Sequence, residues 1–565
     1  MRSFTWLNEE RIYFVATFAQ LSKGDNYRFT FERGGLFDLE EEEAIWPFKG
    51  QKFSYNISGP SIINRLPNDP EHILISHYHS NVNGDTIEVL YKMNIEDGDR
   101  DQFFKEKRNT NWVIDDEGEV KIYQAYDFEG ENLHWYFKES AYSDFIQLKI
   151  KQEEQLVPFK TQFILKYEQS NNEIYFYQRE EEGTLKLAKA GIEKGIVGSS
   201  EIVADYGKYD LGYAIRDYHT SKALGLGYTK DFKHADYLFD SDLRQVQADL
   251  EATFPNSSVT LTSYSKNRTR FIAHVSGPQN PGEYFLYDRK AGRLDLVGKE
   301  FGIDVNSLNA VSVFTYKTSD DLSIDGYFTT PKQFEGKKPP LIVLPHGGPE
   351  ARDNLSFDWL RQFYAMNGFA VYQPNFRGSS GYGKTFAKLG YGQWGLNMQR
   401  DIDEGVSALI SEGKVDGERV CIVGASYGGY AAMIGATKKP KRYKCAVSYG
   451  GVSDLDDIFY HTNRQNGSNR YWAKSIGNRD EQDALNANSP VKLISENTSP
   501  ILLIHGDQDT VVPPYQSRNM YKYLKNHGVK SCKLVELEGD DHWFSSNQSR
   551  KIFLEESLTF INKIL

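Results

Sequence analysis

A chain of 565 residues is longer than one hydrophobic core usually organises, so two domains are expected. Its 39% hydrophobic and 25% charged residues are those of a folded globular protein, and the formal net charge of -12 counts against nucleic acid as a partner, whose binders carry a basic face. No run approaches the roughly 18 apolar residues of a spanning helix, so no membrane partner is expected.

The opening MRSFTWLNEERIYF contains no signal-peptide core and reads like the interior of a strand-rich module. The cytoplasm is the default location, with the periplasm the alternative if a segment precedes this one. Residues 1 to about 305 alternate short β-prone runs with polar, Gly/Asn/Asp-containing connections. The runs include RIYFVATF (11–18), KFSYNISG (52–59), TIEVLYKM (86–93), NLHWYFK (132–138), EIYFYQRE (173–180) and RFIAHVSG (270–277). One sizeable helix is expected, near SDLRQVQADLEATF. Evenly spaced short strands imply a sandwich or a propeller. At roughly 40–50 residues per blade, a propeller would have six or seven blades here. His77 and His79 alternate on one strand face, but no third ligand accompanies them, so no metal site is assigned.

From residue 306 the texture changes. PPLIVLPHGG, AVYQPNF, VCIVG, CAVSYGG, PILLIHG and CKLVELEG read as strands, alternating with helical segments such as DWLRQFYAMNG, DIDEGVSALISEG and SRNMYKYLKNHG. This alternation implies a mostly parallel, doubly wound sheet covered on both faces, with chemistry at the carboxyl ends of its strands. The expected division is therefore 1–305, all-β, and 306–565, an α/β-hydrolase-type domain.

The three cysteines form no CxxC pair and no disulfide framework. Cys421 and Cys445 lie in or beside apolar, β-rich runs and read as small buried hydrophobes. No cofactor is expected.

GASYG, residues 424–428, places Ser426 between glycines at a strand-to-helix junction, where a strained turn can present a nucleophile. The competing reading is a tight β–α turn with an incidental serine. A serine hydroxyl needs a base, and the base an orienting carboxylate. Asp507 and Asp509 follow the strand PILLIHG, and His542 follows CKLVELEG, in the order Ser, Asp, His. His527 precedes Gly528 at a helix end and reads as a cap, and His505 reads as structural. Oxyanion donors are expected from the Tyr427 N–H and from PHGGP, at Gly347 or Gly348.

LPHGGP, PNFRGSSGYGKTF, GASYGGYAA, ILLIHGDQDTVVP and EGDDHWF together resemble the prolyl oligopeptidase family of serine peptidases, in its acylaminoacyl- and dipeptidyl-peptidase branch. The resemblance implies an N-terminal β-propeller and an α/β-hydrolase catalytic domain, with residues 269–300 as the last blade. It assigns Ser426 as nucleophile, Asp509 rather than Asp507 as the acid, and His542 as the base. Some relatives use a tyrosine hydroxyl as second oxyanion donor; His346 stands there, which favours the N–H of Gly347. The usual Asp-Gly ahead of the catalytic domain reads Asp320-Asp321, and the stretch many relatives place before the propeller is short or absent.

The family's S1 pocket maps onto Tyr427, Val452, Leu455, Ile458 and Val512, which are apolar and imply hydrophobic P1 residues; core packing alone is the competing reading. Glu40 to Glu43 or Glu180 to Glu182 are candidates for anchoring a free amine, and solvated loops are the plainer reading. Short peptides are the expected substrates; edge strands of the hydrolase sheet often pair in this family, so the resemblance offers a homodimer while the oligomeric state stays open. Two alternatives stay open: a carboxylesterase with the same triad, and a binding protein with a vestigial hydrolase.

Overall fold

The computed structural model describes residues 3–21, 28–48, 60–80, 86–104, 109–126, 132–180, 183–334, 338–463 and 469–565. The chain forms two compact units. One comprises Met1–Glu181, Leu185–Tyr228 and Ala235–Arg244, and the other Glu182–Thr184, Thr229–His234 and Gln245–Leu565.

Six small sheets precede residue 300 among the described residues, antiparallel except for one parallel pair. Five of the six expected runs quoted above are strands, as in Arg11–Leu21, Thr86–Asn94 and Glu173–Arg179; KFSYNISG lies outside the described residues. The expected helix is present at Ser241–Thr253.

Within the first unit each interior sheet shares one core with the sheet before it and another with the sheet after it. Ile73 and Ile75 pack with Tyr13 and Leu36 of the preceding sheet. Leu74, from the other face of the same strand, packs with Trp112 and Val120 of the next. Val113 and Ile122 then meet Ile164 and Ile174, and Leu165 meets Leu211 and Leu226. The side-chain period of two sends successive residues to opposite faces, and face-to-face packing of consecutive small sheets is the construction of a propeller.

The second unit holds an eight-stranded sheet together with the four-stranded sheet of Ser258–Lys299. The eight strands are β1 (Val311–Lys317), β2 (Ser323–Thr329), β3 (Leu341–Val343), β4 (Ala370–Pro374), β5 (Val420–Ala425), β6 (Cys445–Tyr449), β7 (Ile501–Gly506) and β8 (Lys533–Leu537). Their order is β1-β2-β4-β3-β5-β6-β7-β8, and every pair from β4 to β8 is parallel.

Strands β3, β4, β6 and β7 are buried at every position, as a sheet covered on both faces requires. Alternate residues feed two cores. Ile422, Ala446 and Leu503 meet helices α1 (Asn397–Ser411), α2 (Tyr427–Lys438) and α3 (Tyr515–Asn526). Val423, Val447 and Leu502 meet the helices Trp359–Met366 and Asn547–Ile564. Helix α2 is apolar all round, as befits a helix buried on all sides.

The cysteine expectation is corrected. Cys421 and Cys445 are register partners on the adjacent strands β5 and β6, and their sulfurs are bonded. Pairing across a parallel sheet joins residues on either side of a crossover helix, so neither spacing nor composition reveals it. Cys532 is the free thiol.

The departure at Asp320-Asp321 also has a reason. Asp321 has φ 63°, the left-handed region in which glycine is unstrained, while Asp320 pairs with the Arg377 and Arg400 guanidinium groups at 2.9 and 2.6 Å.

Unfolded without reductant, the chain should titrate one thiol, and three after reduction. Three thiols under both conditions would show that Cys421 and Cys445 are unbonded.

Candidate active site

Strand β5 ends at Ala425 and α2 begins at Tyr427, so Ser426 alone makes the turn, at φ 56° and ψ -120°. Such a backbone costs an L-residue on the order of 1–3 kcal/mol and persists only where its surroundings enforce it. Here the Ser426 N–H donates to the Tyr449 carbonyl at 2.9 Å, and the Ser426 carbonyl accepts the Tyr430 N–H at 3.0 Å. The flanking glycines answer to close approach: a Cβ at Gly424 would collide with the Gly428 backbone, and one at Gly428 with the Pro345 carbonyl. The serine is therefore a presented residue and not an incidental one.

Asp509 and His542 meet. His542 Nδ1 lies 2.6 Å from Asp509 Oδ2, and the other carboxylate oxygen accepts the Val511 and Val512 N–H groups at 2.8 Å each. An ionised carboxylate only accepts, so Nδ1 carries the proton and Nε2 is left as the basic nitrogen. Burial alone would raise the Asp509 pKa; hydrogen bonds and charge from His505 and His542 outweigh it and hold the group at about 2.

Asp507 takes a different part, accepting the Gly539 N–H at 2.8 Å and so tying the acid loop to the loop before His542. His505, read as structural, is buried with Nε2 3.3 Å from Asp509 Oδ2, a contact the sequence reading did not include. The i, i+4 spacing of His505 and Asp509 across the turn after β7 was its only signal. His527 caps α3 as expected, with Nδ1 2.9 Å from the Tyr523 carbonyl.

Gly450 joins the three loops. It follows Tyr449, whose carbonyl holds Ser426, and a Cβ on it would lie 3.1 Å from Asp509 Oδ2 and 3.4 Å from His542 Nδ1. No hydrogen bond joins Ser426 Oγ to His542 Nε2 in this structure; such bonds are often long before substrate binds and tighten in the complex.

The HGG loop reaches the elbow. A Cβ at Gly347 would stand 3.4 Å from Ser426 Cβ, and no protein acceptor for the N–H of Gly347 or Tyr427 is found among the described residues. His346 stacks on Phe376 at 4.4 Å, with Nε2 2.9 Å from Ser379 Oγ. Burial pushes its pKa down to about 4 against an opposing hydrogen bond to Gly347 O, so near neutral pH the imidazole is uncharged. Phe376 is positioned by the next residue: the Arg377 guanidinium and backbone N–H both bond the buried Asp401 carboxylate.

The expected pocket residues Tyr427, Val452, Leu455, Ile458 and Val512 lie in one apolar cluster, none more than 1% exposed. Leu455 and Ile458 fall on a helix, Leu455–Asn463, where the sequence predicts a loop. The Tyr427 ring is edge-on to Trp394 at 4.6 Å.

Glu40 to Glu43 form an exposed turn, Glu180 lies on the surface 3.7 Å from Lys186, and Glu181 and Glu182 fall outside the described residues. His77 is buried edge-on to Phe48, and the His79 side chain lies outside what the structure describes. Among the described residues no group of three His, Cys, Asp or Glu side chains is placed to hold a metal ion.

A sheet of this order, with the serine on the turn after its fifth strand and the Asp–His pair on the loops after its seventh and eighth, defines the α/β-hydrolase class. Within that class, residues 355–565 match the prolyl oligopeptidase family. Dipeptidyl aminopeptidase BIII of Pseudoxanthomonas mexicana is 29% identical over 63% of this chain and 53% of its own length. Dipeptidyl-peptidase 5 of Porphyromonas gingivalis is 28% identical over 42% of this chain and 35% of its own. The chain spans about half the length of the curated relatives it matches. Among solved structures, a Mycobacterium tuberculosis puromycin-hydrolyzing peptidase superposes with TM-score 0.68 at 17% identity, covering all of this chain and 94% of its own. Pyrococcus horikoshii acylaminoacyl peptidase gives 0.58 at 20% identity, covering all of this chain and 82% of its own. These likenesses establish the shared fold.

The Asp509 carboxylate is favoured in the folded state, so its stabilisation is complete above the ordinary aspartate pKa and fades as pH falls toward about 2. Wild type should exceed Asp509→Asn by about 2 kcal/mol at pH 7, and denaturant titrations should show that gap closing between about pH 5 and pH 2. A gap independent of pH would refute the assignment.

Proposed function

We propose that the chain is a serine peptidase that cleaves short peptides, in the manner of dipeptidyl or acylaminoacyl peptidases, through an acyl-enzyme on Ser426. The observation that carries this reading is the Asp509–His542 pair, at 2.6 Å, beside a serine held in an elbow that only close backbone packing permits. Relatives named dipeptidyl peptidases support the substrate class.

In this reading His542 Nε2 takes the proton from Ser426 Oγ as the oxygen attacks the scissile carbonyl carbon. The Tyr427 and Gly347 N–H groups receive the developing oxyanion. Collapse of the tetrahedral intermediate breaks the C–N bond, and His542 gives its proton to the departing amine. A water then repeats the sequence, releasing the acid and restoring the serine. Asp509 holds the imidazole tautomer and stabilises the imidazolium throughout. The S1 wall would be Tyr427, Val452, Leu455, Ile458 and Val512, which gives hydrophobic P1 residues the advantage.

Ser426→Ala should fold normally by circular dichroism and lose nearly all turnover of peptide and ester substrates; retained turnover would refute the nucleophile. In a matched peptide series, Leu or Phe at P1 should exceed Asp or Lys by about 10- to 100-fold in kcat/KM. Equal values would refute the pocket.

A further inference from the structure

Trp543 directly follows the base and is 71% exposed, a large apolar surface with no evident use in folding. Its neighbours are tightly placed. The Trp543 N–H donates to Asp541 Oδ1 at 2.8 Å, Ser545 Oγ donates to Asp541 Oδ2 at 2.7 Å, and Tyr449 Oη donates to the Asp541 carbonyl at 2.6 Å. Phe544, at φ 52°, turns inward and stacks on Tyr449 at 3.6 Å. The indole is thus held outward from an ordered turn, and among the described residues its ring partner is His542, perpendicular at 5.1 Å.

We infer that Trp543 is the leaving-side specificity determinant, a platform for the side chain of the P1′ residue. The inference rests on the peptidase reading. His542 Nδ1 is consumed by Asp509, and Gly450 packs against the Nδ1–Cε1 edge. The departing amine must reach His542 to collect its proton, so the residue that carries that amine passes the indole beside it. An exposed, preorganised aromatic ring adds affinity for aromatic and large aliphatic side chains, because little entropy is lost in ordering it.

Acyl transfer to an added amine reads this site apart from acylation. The acceptor nitrogen attacks the acyl-enzyme carbonyl and gives its proton to His542; the C–O bond to Ser426 breaks and Oγ takes the proton back. One ester substrate supplies the acyl group, with phenylalaninamide or glycinamide as acceptor, and chromatography measures the partition between transfer and hydrolysis. Wild type should favour phenylalaninamide by ~10-fold. Trp543→Ala should bring the two acceptors within about two-fold, and Trp543→Phe should keep the preference. With a methyl ester as the acyl donor, hydrolysis and fluorophosphonate labelling of Ser426 should change by less than about two-fold in both variants, since methanol and fluoride leave without a side chain to meet the indole.

An unchanged acceptor preference in Trp543→Ala overturns the inference while leaving the peptidase reading intact. So does a parallel loss of labelling and hydrolysis, which would make the ring a support for His542. Wild-type protein that neither labels nor turns over overturns the peptidase reading itself.

Discussion

An L-serine at φ 56° is stable only where backbone crowds it from every side, and the rest of the catalytic domain is arranged to supply that crowding. Gly424 and Gly428 let β5 and α2 approach until a single methyl group on either would collide with backbone. Neighbouring β6 supplies the carbonyl that takes the Ser426 N–H, and the loop after β3 supplies Gly347 against Ser426 Cβ. Beneath the turn, β5 and β6 are joined covalently through Cys421 and Cys445. The turn therefore rests on the central strands of a sheet covered on both faces, where a rearrangement would open cavities in two cores at once.

Tyr449 links the elbow to the Asp–His pair. Its carbonyl fixes Ser426, its hydroxyl holds the Asp541 carbonyl one residue before His542, and its ring supports Phe544 two residues after it. A shift of β6 would move serine and histidine together. The HGG loop has a separate support, because His346 leans on Phe376, whose neighbour Arg377 is locked to Asp401. Removing one partner of so buried an ion pair costs roughly 3–5 kcal/mol.

The parts of this design legible in the sequence are those carried by short-range chemistry. Glycines around Ser426 and the strand before each of the three loops are local features, the order Ser, Asp, His is read directly along the chain, and each has its counterpart in the structure. The alternating pattern of the N-terminal runs reached as far as small sheets but not their pairings, which are tertiary. The cysteine bond was illegible for the same reason: parallel neighbours are separated by a whole helix, and composition alone pointed away from it. Leu455 and Ile458 looked like loop residues because GVSDLDDIF begins with turn-forming residues, and the helix starts only at Leu455.

Two imidazoles approach the Asp509 carboxylate, and hydrogen-bonding capacity decides between them. His505 Nδ1 lies 2.7 Å from Ser517 Oγ and Nε2 lies 2.8 Å from the Val512 carbonyl, so both nitrogens are occupied. The carbonyl can only accept, which puts a proton on His505 Nε2. No nitrogen remains there for a substrate. His542 spends Nδ1 on Asp509 and keeps Nε2. The carboxylate therefore serves one histidine that steadies the acid loop and one that can carry a proton. Its depressed pKa is the joint product of both, since burial acting alone would push it the other way.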